Sequence, residues 1–268
     1  MSVLDTAVAK QPITIARGSK GEPVDARQHV APGTGLHSFL GWAGLLIFGP
    51  LAAIALAFIT YGIALVVWLV AGIMYFGKIK RARAAIRGSA LEVGPNQFPE
   101  VHARVQEFSA RLGLKQPPEV YIIEDNMQNA YAMKFGSRMC VVLIDDVVHG
   151  AKSRSDEALD FIVAHELAHH ALGHTGLLRS TIRAHYKTLS RLDEISCDAV
   201  AHALVADREA ALEAMTLLLV GPFLFDRVNL DALRQQAESV IADKHSKRAE
   251  RSMTHPLLLR RYARLQTL

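Results

Sequence analysis

Ala158-Leu159-Asp160-Phe161-Ile162-Val163-Ala164-His165-Glu166-Leu167-Ala168-His169 is mostly apolar and meets no Gly or Pro until Gly173, which predicts a buried helix. On such a helix, residues four apart lie about 40° apart around the axis, so His165 and His169 share a face. Two neutral imidazoles on one face can fill two corners of a zinc tetrahedron. Glu166 follows the first of them directly, within reach of a zinc-activated water as general base.

A hydrolytic zinc needs a third protein ligand and one open position. His174 lies nine residues after His165, which a continuous helix would place about 180° away. His170 is about 140° away, so neither is expected as a ligand, and His174 reads as a helix-end or surface residue. Asp193-Glu194-Ile195-Ser196-Cys197-Asp198-Ala199 supplies the better candidate. If this stretch is helical, Glu194 and Asp198 share a face. Glu194 can then complete a site of two His and one Glu, and Asp198 can accept the free ring N–H of a ligand imidazole. Asp193 or Asp198 could serve as the ligand instead, and Cys197 is a weaker choice.

These residues resemble the membrane-bound zinc metallopeptidases that include the HtpX heat-shock protease and the CAAX prenyl endopeptidase. That family joins HExxH on one helix to ExxxD on another, as His165 to His169 and Glu194 to Asp198 do here. It also carries an Asn-Ala-aromatic-Ala strand ahead of the zinc helix, matched by Asn129-Ala130-Tyr131-Ala132. Near its end it has Thr-His-Pro with an Arg six residues after the His, matched by Thr254-His255-Pro256 and Arg261. The resemblance covers roughly Val120 to Leu268. It implies one Zn2+ held by His165, His169 and Glu194, with Glu166 as base. It implies Asp198 behind the ligands, His255 donating to the oxyanion, and Arg261 bracing the acidic side. It also implies a zincin-like (gluzincin) domain acting on a peptide or protein substrate, with removal of misfolded membrane proteins expected by analogy. An extended peptide is expected to add to an edge strand at Asn129 to Ala132. Relatives often have further membrane helices near the two motifs. Here the interval between His169 and Glu194 contains Arg179, Arg183, Lys187 and Arg191, so no span fits.

Working outward, Phe39 to Phe76 is 38 residues without one charged side chain. One bilayer crossing takes about 20 apolar residues, so the run predicts a tight two-span hairpin with its turn between Gly49-Pro50 and Tyr61-Gly62. Lys10, Arg17, Lys20 and Arg27 precede it, and Lys78, Lys80, Arg81, Arg83 and Arg87 follow. Positive charge on both flanks predicts both ends, and the catalytic domain, on the cytoplasmic side. Residues 1–36 are polar, with Gly, Pro and scattered charge and no apolar period, and read as a flexible cytoplasmic tail rather than a signal peptide. The division expected is tail 1–36, transmembrane hairpin 37–77 and peptidase domain 78–268.

Within that domain, Val101, Val105, Phe108 and Leu112 predict a helix stopped at Gly113. Val120 to Ile123, Ala130 to Lys134 and Met139 to Ile144 predict short strands, with a turn at Gly136-Ser137. From Asp156 onward the pattern is helical. The class expected is therefore α+β, mostly helical, with a small antiparallel or mixed sheet. The chain is 50% hydrophobic with a net charge of +4. That charge is too small to imply nucleic acid, and no aromatic-basic pattern suits base stacking, so the partners expected are a substrate peptide and the lipid bilayer. Cys140 and Cys197 form no spaced cluster and read as small buried apolar residues. Two rivals deserve weight. A protease cutting within the membrane would need a second uncharged run, and Asp156, Glu157 and Asp160 stand beside the motif instead. A catalytically inactive, membrane-anchored zinc-binding chaperone or scaffold would have no need of Glu166.

Overall fold

A computed structural model of the chain describes residues 21–125 and 129–268. The fold is mostly helical with a small mixed sheet, as expected. Two long apolar helices come first: α1 (Thr34–Ile59) and α2 (Ile63–Ser89). They turn at Thr60–Gly62, at the late end of the expected window, where Gly62 takes a φ of +84°. Gly49-Pro50 lies inside α1 and does not break it. Pro50 has no N–H to bond the preceding turn, and the helix widens to π-type spacing over Gly44–Phe48 just ahead of it. At about 1.5 Å per residue, each helix exceeds the roughly 30 Å of a hydrocarbon core. Both extend beyond the uncharged run, so the spans are longer than two halves of 38 residues. Their large apolar side chains face outward: Phe58 is 85% exposed and Phe39 68%. A soluble core helix would hide that surface, so these two helices have the character of membrane spans.

The lower part of α2 continues into the folded domain, where Ile86 and Ala90 pack against one face of the sheet. The sheet has strands β1 (Leu91–Glu92), β2 (Glu119–Ile123), β3 (Ala130–Phe135) and β4 (Arg138–Ile144), ordered β1-β2-β4-β3. The β2–β4 pair is parallel and the other two are antiparallel. β4 reads as an uninterrupted apolar run because both of its faces are covered. Val141 and Leu143 face the main core, while Cys140 and Val142 face α2 with Tyr121. β3 is an outer strand, reached from β4 through Gly136, whose φ is +65°.

The remaining helices are α3 (Pro99–Arg111), α4 (Asp145–Arg154), α5 (Asp156–Ala171), α6 (Leu177–His185), α7 (Lys187–Val205), α8 (Arg208–Val220), α9 (Leu230–Ala242), α10 (Lys244–Glu250) and α11 (Leu258–Leu265). α5 begins at Ser155, whose hydroxyl accepts the Ala158 amide, and Asp156 and Glu157 oppose the positive end of its dipole. It packs on α7, and Phe161, Ala164, Leu167, Cys197, Val200 and Leu204 are buried in the core that the two helices share.

One reading changes. Part of the expected tail, residues 1–20, lies outside the described residues. Residues 21–36 are fastened to the domain. The Val24 amide donates to Arg111 O, Arg111 donates to Glu22 O, and the Ala31 amide donates to the Ser196 hydroxyl. Val24, Ala26 and Ala31 are buried. The segment's own contribution to these hydrogen bonds is main-chain, and the three buried apolar residues are too few to leave a period in the sequence.

Candidate metal centre

The α5–α7 contact brings together the two halves of the expected site. His165 and His169 project from α5 with ring centroids 5.1 Å apart. Glu194 on α7 faces both. Its carboxylate lies 3.4 Å from His165 Nε2 and 3.3 Å from His169 Nε2. The three donor atoms fall within 4.8 Å of one another, and all three residues are buried. Two imidazole nitrogens and one carboxylate oxygen within that distance are a donor set that suits zinc. The residues present therefore fit a zinc ion.

Each ring is turned by a group on its far side. His165 Nδ1 donates to Asp198 at 2.9 Å, which leaves Nε2 facing Glu194. Arg261, on α11, donates to Asp198 through Nη2 at 2.6 Å and Nε at 2.8 Å, and stands 3.7 Å from Glu194. His255 Nδ1 lies 3.1 Å from Glu194 and remains 62% exposed at the mouth of the site. The loop carrying it is clamped by Arg191, which donates to the carbonyls of Glu250 and Met253.

The electrostatics follow from this crowding. Burial opposes a charge on His165, yet its bonds to Asp198 and Glu194 carry its pKa up to about 9. Burial pushes His169 down to about 4, with Glu194 only partly opposing. Burial also lifts Glu166 above the usual carboxylate range. Glu194 is held well below that range, because His169, His165 and His255 outweigh its burial. Asp198 is lowered as Arg261 overcomes the same penalty.

The site opens into a cleft of about 320 Å³. Asn129, Ala130, Tyr131 and Ala132 form one wall, and Phe161, Ile162, Met215 and Leu218 supply apolar surface. His165, Glu166, His169, Glu194, His255 and Arg261 line it as well. Asp198 lies behind the ligands, outside the cleft.

Three features escaped the sequence. Arg183 donates to Glu194 at 2.8 Å, and Arg179 donates to Asp193 at 2.7 Å. Their spacing by one helical turn, on the face meeting two adjacent acids, was the available signal. His174 is also not a surface residue: it is 3% exposed and sits beside His169. Of the other ligand candidates, Asp193 turns to these arginines, and the Cys197 thiol lies buried by His174.

Residues 95–187 match peptidase family M48. The match contains α5 and stops short of Glu194. A protease HtpX homolog of Acidiphilium cryptum (strain JF-5) is 30% identical over 133 residues, covering 50% of this chain and 41% of the relative. A protease HtpX homolog of Desulfatibacillum aliphaticivorans is 38% identical over 80 residues, covering 30% of this chain and 25% of the relative. The chain thus spans less than half the length of these curated relatives. No solved structure matches it. With the HExxH helix inside the matched segment and two apolar helices ahead of it, the chain is similar to peptidase family M48 and to protease HtpX homologs.

Proposed function

We propose that this chain is a membrane-anchored zinc endopeptidase whose ligands are His165, His169 and Glu194. The observation that carries the reading is the convergence of both Nε2 atoms on the Glu194 carboxylate at 3.3–3.4 Å, with Glu166 in the same cleft. Zinc, when bound, supplies Lewis acidity and makes water nucleophilic near neutral pH. Glu166 takes the proton of the attacking water and delivers it to the leaving amine. Its buried setting raises its basicity towards that task. His255 donates to the oxygen that gains negative charge as the scissile carbonyl is attacked, and its exposed position leaves it free to turn from Glu194 to that oxygen. Asp198 and Arg261 hold His165 and Glu194 in place. A substrate strand lies along β3 at Asn129 to Ala132, where main-chain hydrogen bonds would give loose sequence preference. The basic residues at the end of α2 favour a cytoplasmic domain, and substrates drawn from damaged membrane proteins suit a cleft on a membrane-anchored chain.

Casein digestion by the full chain in detergent, with metal content measured alongside, tests the reading. Glu166→Gln should retain zinc and lose cleavage by a factor of about 100 or more. Unchanged cleavage would remove the mechanism. Zinc without cleavage in the native protein would favour the inactive scaffold.

A further inference from the structure

We propose that His174 is a positioning residue for His169: it fixes which nitrogen of that imidazole is free for a cation. The inference rests on the zinc reading above.

The local chain path makes the pairing. Gly173 ends α5 in a left-handed conformation at φ +75°. The Gly173 amide then bonds His170 O, and the His174 amide bonds His169 O at 2.9 Å. This reversal folds His174 back over the last turn, so its ring stands edge-on to His169 with centroids 5.2 Å apart. The two Nδ1 atoms are 3.1 Å apart. On its other side, His174 Nε2 lies 3.3 Å from Asp193 Oδ1. Asp193 is itself held by Arg179 at 2.7 Å and Arg183 at 3.2 Å.

The proton positions follow from which groups can only accept. Asp193 faces Arg179 and Arg183 and serves as the acceptor, so the geometry places the His174 N–H on Nε2, towards Asp193. Its Nδ1 is then an acceptor, and His169 must carry its own N–H on Nδ1. That leaves the His169 Nε2 lone pair aimed at Glu194. The opposite arrangement would put a proton on Nε2 and close the site to a cation. His165 is oriented by Asp198 and Arg261 directly. His169 is oriented by the same kind of acid–arginine pair, with one imidazole interposed.

The same atoms form a second group of donors, since Cys197 Sγ lies 3.6 Å from His174 Nδ1 and completes a set of three with His169. A cation there would compete with the first site. His169 would have to give up both ring protons to bridge two dications, whereas the 3.1 Å separation is that of an ordinary hydrogen bond. The relay is the simpler use.

The test is zinc affinity of the full chain in detergent, measured by competition with a fluorescent chelator. His174→Leu removes the acceptor and should weaken zinc binding by about 10–100-fold. His174→Gln can accept from His169 and donate to Asp193, and should restore most of that loss. Asp193→Asn keeps the packing but can donate to His174, so it should weaken binding too, even if His174→Leu does not fold. Cobalt substitution separates the two uses of Cys197: the relay requires one metal per chain and no thiolate-to-cobalt charge-transfer band. Native affinity in both His174→Leu and Asp193→Asn, or a thiolate band with a second equivalent of metal, would overturn the relay. A native chain that binds no zinc would overturn the functional reading instead, and the relay with it.

Discussion

Replacing Arg261 by Met should unfold the site before it affects any chemistry. Arg261 is buried and donates twice to Asp198, which is buried too. Met keeps much of the aliphatic volume and removes the charge. Breaking one side of a buried pair costs about 3–5 kcal/mol, because the surviving charge has no water to replace its partner. Two things moderate the loss here. His165 remains 2.9 Å from Asp198 and donates to it through Nδ1. Glu194, 3.7 Å away, also has His169, His255 and Arg183 around it. We therefore expect about 3 kcal/mol. For a chain of this size that lowers Tm by about 6–12 °C. The assay is thermal unfolding followed by circular dichroism in detergent with a chelator present, so that metal linkage does not contribute. Adding Asp198→Asn to Arg261→Met should recover part of the loss, since the stranded carboxylate is then neutral. A single variant melting within about 2 °C of the native chain would refute the reasoning. So would a double variant no more stable than the single.

Other perturbations probe the fastening of the domain. A Cβ at Gly41 would stand 2.6 Å from Ile182, whereas one at Gly72 would meet nothing within 4 Å. Gly41→Ala should therefore cost about 1–3 kcal/mol by prising α1 from α6, while Gly72→Ala should be neutral or slightly stabilising; equal melting temperatures would contradict that close approach. Burial lifts the Asp160 carboxyl to about 6 despite Arg104 at 2.9 Å. Unfolded, it would titrate near 3.9, so the folded state binds this proton more tightly. Its contribution is then fully present below about pH 4 and lost as pH rises through about 6. Relative to Asp160→Asn, the native chain should gain up to about 2 kcal/mol between pH 7.5 and 4, read from urea midpoints; a constant difference would refute it.

What the sequence disclosed was whatever is periodic and local. The HExxH face, the uncharged run, the three main strands and the helix ending before Gly113 all follow from spacing within a few residues. β1 has two residues, too few for any alternation to register. α4 was missed because its buried Val147, Val148 and Ala151 carry a weak pattern directly after a strand. His174 stands at the helix end, one of its two readings, but Gly173 turns it back into the interior, which a straight-helix projection does not show. His255 and Arg261 lie far from the motif in sequence, and only the packing of α11 and its preceding loop brings them to Glu194. In the sequence Arg179 and Arg183 only exclude a membrane span; their pairing with Asp193 and Glu194 depends on how α6 packs. Sequence spacing fixes which side chains share a helix face, and tertiary packing decides which faces meet.

X-ray absorption at the zinc edge, on the full chain purified in detergent and on Glu194→Ala, tests the central claim most directly. The native protein should hold one zinc in a shell of nitrogen and oxygen, with two imidazoles. Glu194→Ala should bind it far more weakly. A full zinc complement in Glu194→Ala with an unaltered shell, or a zinc–sulfur distance near about 2.3 Å from Cys197, would contradict the account.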